Sequence, residues 1–139
     1  MFNRIMVPVD LAHVDKLTRS LTVAGDMASH YGASLCFVAV GSSAPGPTGR
    51  TPAEFGDTLA AFADAQGRQR GVSATSLPIL AHDPAADLNH ALLKAVKDTG
   101  ADLVIMASHV PGIADYLLSS HGGHLAAHAG VSVMLIREG

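Results

Sequence analysis

The chain has 139 residues, 48% of them apolar and 15% charged, enough to fill one core and too apolar for the disordered class. Its formal charge of −3, with nine Lys and Arg scattered along it, offers no basic face to a phosphate backbone and excludes nucleic acid as an expected partner. No apolar run reaches about 18 residues, the start carries Arg4 and Pro8 before any signal core develops, and the lone Cys36 sits in an apolar run. No membrane contact, no internal disulfide and a cytoplasmic location are therefore expected.

Five short runs rich in Val, Ile and Leu read as strands: Ile5 to Val9, Leu35 to Val40, Ser76 to Leu80, Leu103 to Ala107 and Val131 to Ile136. Most are continuous rather than alternating, the pattern of strands covered on both faces. Helical spacing fills the gaps. Leu17, Leu21, Ala24 and Ala28 line one face of the first helix, which Gly32 stops. The second runs from about Pro52 to Gln69 behind the cap Thr51. The third opens at Asp83-Pro84, carries the stripe Leu88, Leu92, Leu93 and Val96, and ends before Gly100. The last is short, about Ser120 to Ala129, with Gly130 as its stop.

This alternation predicts a single α/β domain over residues 1–139, a doubly wound parallel sheet with right-handed crossovers and helices on both faces. Gly41 to Gly49, dense in Gly and Pro, reads as a mobile loop, and no internal repeat is visible. Ligands of such sheets bind beyond the carboxyl ends of the strands where the winding reverses. Two stretches occupy those ends: Pro8-Val9-Asp10, and Met106 to Gly123 after the fourth strand.

The pieces "IMVPVD", "LCFVAV", "DPAADL", "DLVIMASH" and "HAGVSVMLIR" resemble the universal stress protein family along the whole chain. The loop "ASHVPGIADYLLSSHGG" is similar to the branch reading Ala-Ser-His-x-Pro and later Tyr-Leu-Leu-Gly-Ser. The resemblance implies a five-stranded sheet in the order 3-2-1-4-5. It also implies a homodimer paired through the last strand, here Val131, Val133, Met134, Leu135 and Ile136. Members with a nucleotide site carry Gly-x2-Gly-x9-Gly-Ser after the fourth strand. In this chain the first glycine falls on Ala107, the second on Val110 and the third on Ser119, one residue early, while the serine is kept as Ser120. The related branch also replaces the first two glycines and shortens the loop, so Ser119 is the departure that matters. A positive φ there would cost a serine roughly 1–2 kcal/mol. Backbone N–H groups around Ser120 either cradle a phosphate or begin a final helix that Ser119 and Ser120 merely cap.

By the same resemblance Pro8, Val9 and Asp10 contact the adenosine half of a nucleotide, and Val40 and Met106 flank its adenine. A bare helix cap is the alternative for Asp10, and core packing for the two apolar residues. His109 and His121 are candidate donors to phosphate oxygens. A metal site on His121, His124 and His128 is weighed and not expected, because Asp115 is the one acid near them in sequence. No Gly-x-Ser-x-Gly elbow, Walker lysine or dinucleotide fingerprint is present, so no catalytic residue is assigned and ATP hydrolysis is expected to be slow or absent. The expected function is an adenine-nucleotide-binding regulator or sensor in a stress response, taking ATP, ADP or AMP with or without magnesium and meeting a further protein partner. The rival readings are a nucleotide-free dimeric interaction protein and, last, a phosphotransfer protein using His109 or His121.

Overall fold

The computed structural model of the chain describes residues 1–42, 49, 51–109 and 122–138. Five parallel strands, β1 (Arg4–Pro8), β2 (Ser34–Ser42), β3 (Ala74–Ala81), β4 (Leu103–His109) and β5 (Ser132–Arg137), form one sheet in the order β3-β2-β1-β4-β5. The helices are α1 (Thr18–Tyr31), α2 (Pro52–Arg70), α3 (Pro84–Thr99) and α4 (Gly122–His128), and a 3₁₀ turn over Leu11–Lys16 leads into α1. Helices α1 and α2 cover one face of the sheet and α3 and α4 the other. This is the doubly wound arrangement and strand order expected above.

Burial follows position in the sheet. The central strands are apolar throughout: Ile5, Met6 and Val7 on β1, Leu35 to Ala39 on β2 and Leu103 to Ala107 on β4 are all buried. The edge strands alternate, because only one of their faces meets a helix layer closely. Leu80 on β3 and Leu135 on β5 are among the most exposed large apolar side chains. Helices α1, α2 and α3 each stop at a glycine in the left-handed region, Gly32, Gly71 and Gly100, with φ between 65° and 68°. Thr51 and Asp83 cap α2 and α3 through their side chains, as their place before Pro52 and Pro84 predicts.

Several element bounds differ from the sequence reading. Strand β2 runs on through Gly41 and Ser42, paired with Leu80 and Ala81, so the glycine-rich stretch begins as sheet. A side chain at 41 would collide with the buried Phe55 ring, whose Cζ lies 2.8 Å from an ideal Cβ. The rest of that stretch, apart from Gly49, lies outside the described residues. Leu17 is buried but stands before the first turn of α1 rather than inside it. Helix α4 is described from Gly122, and Ser120 and His121 lie outside the described residues.

Candidate functional site

The middle of the sheet opens at its carboxyl end, and Pro8 supplies a reason. Along a parallel strand, successive residues turn their backbone groups to opposite neighbours. Asn3 O accepts from Ser34 N, and Val9 N donates to Val38 O at 2.8 Å, so odd positions of β1 face β2. Arg4 O accepts from Asp102 N, so even positions face β4. Pro8 therefore presents its ring nitrogen, which has no hydrogen to donate, to β4. The β1–β2 pairing extends to Pro8↔Val38, whereas β1–β4 pairing is recorded at Ile5↔Leu103 and Met6↔Val104 and goes no further. Beyond it the two strands part at the place where the winding reverses. Strand β4 is further bent by an irregularity between Ala107 and His109 against Ile136 and Arg137 of β5.

A narrow cleft lined by Pro8, Val9, Asp10, Val38, Val40, Leu88 and Leu92 lies beside this opening, with a cavity volume of about 20 Å³, room for about one water molecule. Its walls are apolar, from the ends of β1 and β2 and the inner stripe of α3. Its polar group is Asp10, whose side chain is 17% exposed. One carboxylate oxygen accepts from Ala12 N at 3.0 Å and caps the 3₁₀ turn, and the other meets His13 Nδ1 at 2.9 Å. Each carboxylate oxygen has two lone pairs, so the cap and the histidine leave Asp10 able to accept further hydrogen bonds. The cap and the ligand contact are thus compatible roles.

The universal stress protein family model matches residues 1–137. The chain belongs to that family. Solved structures with the same fold include a universal stress protein in complex with cAMP, at 18% identity and TM-score 0.71, covering 99% of each chain. A universal stress protein from Archaeoglobus fulgidus in complex with dAMP matches at 20% identity and TM-score 0.65, over 97% of this chain and 98% of that one. An Arabidopsis thaliana family member with AMP bound matches at 14% identity and TM-score 0.70, over 99% of this chain and 92% of that one.

Of the residues carried over from the universal stress protein family, the structure brings Pro8, Val9, Asp10 and Val40 together in the cleft. Met106 and Ala107 are buried within β4, at 0% and 1% exposure, and do not line that cleft. His109 ends β4, while its side chain and the whole of Val110, Ser119, Ser120 and His121 lie outside the described residues. Sequence reasoning missed Val38, Leu88, Leu92 and His13. The apolar stripe of α3 contained Leu88 and Leu92, but a stripe says only that a helix is covered, not that its first turns wall a cleft. His13 stands three residues after Asp10, and only the 3₁₀ turn swings it back onto the carboxylate. Among the described residues no group of three or more His, Cys, Asp or Glu is placed to hold a metal ion. No helix among them is long and apolar enough to cross a membrane.

Proposed function

We propose that this universal stress protein binds an adenine nucleotide, AMP, ADP or ATP, where β1 and β4 part, and acts through that binding rather than through turnover. The observation that carries the reading is Asp10, a carboxylate with free lone pairs at the rim of an apolar cleft at the sheet's reversal point. Val40, half-buried at the end of β2, suits the face of a purine once the narrow cleft widens to admit one, and Asp10 suits the hydroxyls of a ribose. Structures of similar fold carrying cAMP, dAMP and AMP support the same class of ligand. In this reading His109, Val110, Ser119, Ser120 and His121 serve the phosphates, and magnesium enters only with the polyphosphates. The family supports, as part of the same proposal, a regulatory or sensing role in a stress response, in the cytoplasm and with a protein partner.

We further propose a homodimer through β5. The two sheet edges are unequal. Ser73 O accepts from Leu35 N, so even positions of β3 face outward, and Pro78 removes a donor from that edge. Strand β5 has no proline and holds Val133, Met134 and Ile136 half-buried and Leu135 exposed, with Val131 half-buried just before it. A partner strand there would cover apolar surface that an isolated chain leaves wet.

Thermal melts with AMP, ADP and ATP, with and without Mg²⁺, test the nucleotide reading. A ligand at a hundredfold excess over its Kd adds about 2.7 kcal/mol to stability. Asp10→Asn keeps an acceptor for the cap but puts an amide where a second acceptor stood, so the nucleotide-induced shift should shrink in that variant while its unliganded melt stays near wild type. No shift with any nucleotide, together with no nucleotide released from freshly purified protein in mass spectrometry, would establish the nucleotide-free interaction protein instead. Sedimentation showing only monomer at micromolar concentration would remove the dimer.

A further inference from the structure

We propose that His124 and His128 form a two-histidine chelating site for a borderline divalent transition-metal ion, Cu²⁺, Ni²⁺ or Zn²⁺, on the solvent face of α4. The helix is pinned by its other side: Leu125 is 1% exposed, and Gly122 is buried against the methyl groups of Leu135 on β5. That leaves His124 and His128, one helical turn apart, both exposed. Their ring centroids are 4.4 Å apart with the planes tilted by 44°. A metal ion about 2.0–2.1 Å from one nitrogen of each ring lies about 3.2 Å from each ring centre, which at cis angles sets the two centres about 4.5–5 Å apart. The rings already stand near that spacing, so chelation asks for small rotations rather than for refolding.

The chemistry of the pair narrows the ion. No acidic side chain pairs with either ring among the described residues, so the donor set is two imidazole nitrogens completed by water. Imidazole nitrogen suits Cu²⁺, Ni²⁺ and Zn²⁺ and leaves Mg²⁺ and Ca²⁺, which need oxygen donors, unbound. Among divalent ions Cu²⁺ should bind most tightly. His128 also ends α4, where the outward carbonyls of the last turn favour a cation. Because the two rings meet only when residues 124–128 are helical, a chelated ion would hold the one full turn of α4 that links Leu125 in the core to the β5 edge. The site shares no residue with the cleft at Asp10 and needs no nucleotide.

The test is calorimetric titration of untagged, nucleotide-free protein with Cu²⁺, Zn²⁺ and Mg²⁺, with His124→Ala, His128→Ala and the exposed His90→Ala as variants. One Cu²⁺ per chain, weaker Zn²⁺ and no Mg²⁺ binding are expected. Each of the two α4 variants should weaken Cu²⁺ by roughly tenfold or more, as loss of one arm of a chelate requires, and His90→Ala should leave it unchanged. Electron paramagnetic resonance of the Cu²⁺ form should show two imidazole nitrogens in wild type and fewer in either α4 variant. Both α4 substitutions are at exposed positions, and their unliganded melts serve as the folding control. Equal Cu²⁺ affinity in wild type and both α4 variants, or a loss that tracks His90 instead, would overturn the proposal.

Discussion

Glu138 caps a helix from the far end of the chain, and removing it has a calculable cost. Helix α1 begins after Leu17, whose side chain cannot accept a hydrogen bond, so its first N–H groups lack a local cap. The Glu138 carboxylate accepts from Arg19 N at 3.0 Å, from Ser20 N at 3.0 Å and from Ser20 Oγ at 3.2 Å. A lost side-chain cap costs about 1 kcal/mol, and loss of a negative charge at a helix start about 0.5 kcal/mol more. Glu138→Ala should therefore cost about 1.5 kcal/mol. With an unfolding entropy of about 2.1 cal/mol/K per residue over 139 residues, the melting temperature should fall by about 5 °C. Glu138→Gln keeps one acceptor without the charge and should fall by about half as much. Ser20 is 3% exposed and its hydroxyl also donates to Leu17 O at 3.1 Å, so Ser20→Ala provides the second arm of a double-mutant cycle. Differential scanning calorimetry of the four proteins checks the reasoning. A Glu138→Ala protein melting within about 1 °C of wild type, or shifts that add with no coupling, would refute it.

Pro8→Val restores an N–H directed at β4; the new amide should exchange slowly with solvent as the β1–β4 ladder lengthens, and AMP should bind more weakly. A fast-exchanging amide would show that the strands part for another reason. Leu92, 1% exposed and shared between the core and the cleft wall, should cost about 2–5 kcal/mol when replaced by Ala, read as a lower urea midpoint with little change in slope. Leu135→Glu places a charge on the open edge of β5, and sedimentation should show a shift toward monomer.

The fold was legible because its causes are local and repeated. Apolar runs of five or six residues, glycines at helix stops and Thr-Pro or Asp-Pro at helix starts each report on the few residues around them, and the structure uses Gly32, Gly71, Gly100, Thr51 and Asp83 in those roles. The carboxyl ends of β2 to β5 run beyond the apolar runs, since a glycine such as Gly41 signals a loop in sequence but here accommodates Phe55. Of the candidate site, Pro8, Val9 and Asp10 could be named because strand ends mark the crevice of any doubly wound sheet, and Val40 because the family resemblance implied it. Leu88, Leu92 and His13 could not, because their part depends on how α3 and the 3₁₀ turn pack.

The order of apolar runs and helix stops thus determined the architecture and the end of the sheet where a ligand would sit. Which neighbour each backbone group faces, and hence that Pro8 ends one ladder and Pro78 disarms an edge, was decided only when the strands paired. The same holds for Glu138 and α1, 118 residues apart along the chain between cap and Ser20, and for the spacing of the His124 and His128 rings. Hydrogen bonds and ring contacts depend on positions to within an ångström, and only the packed structure sets those.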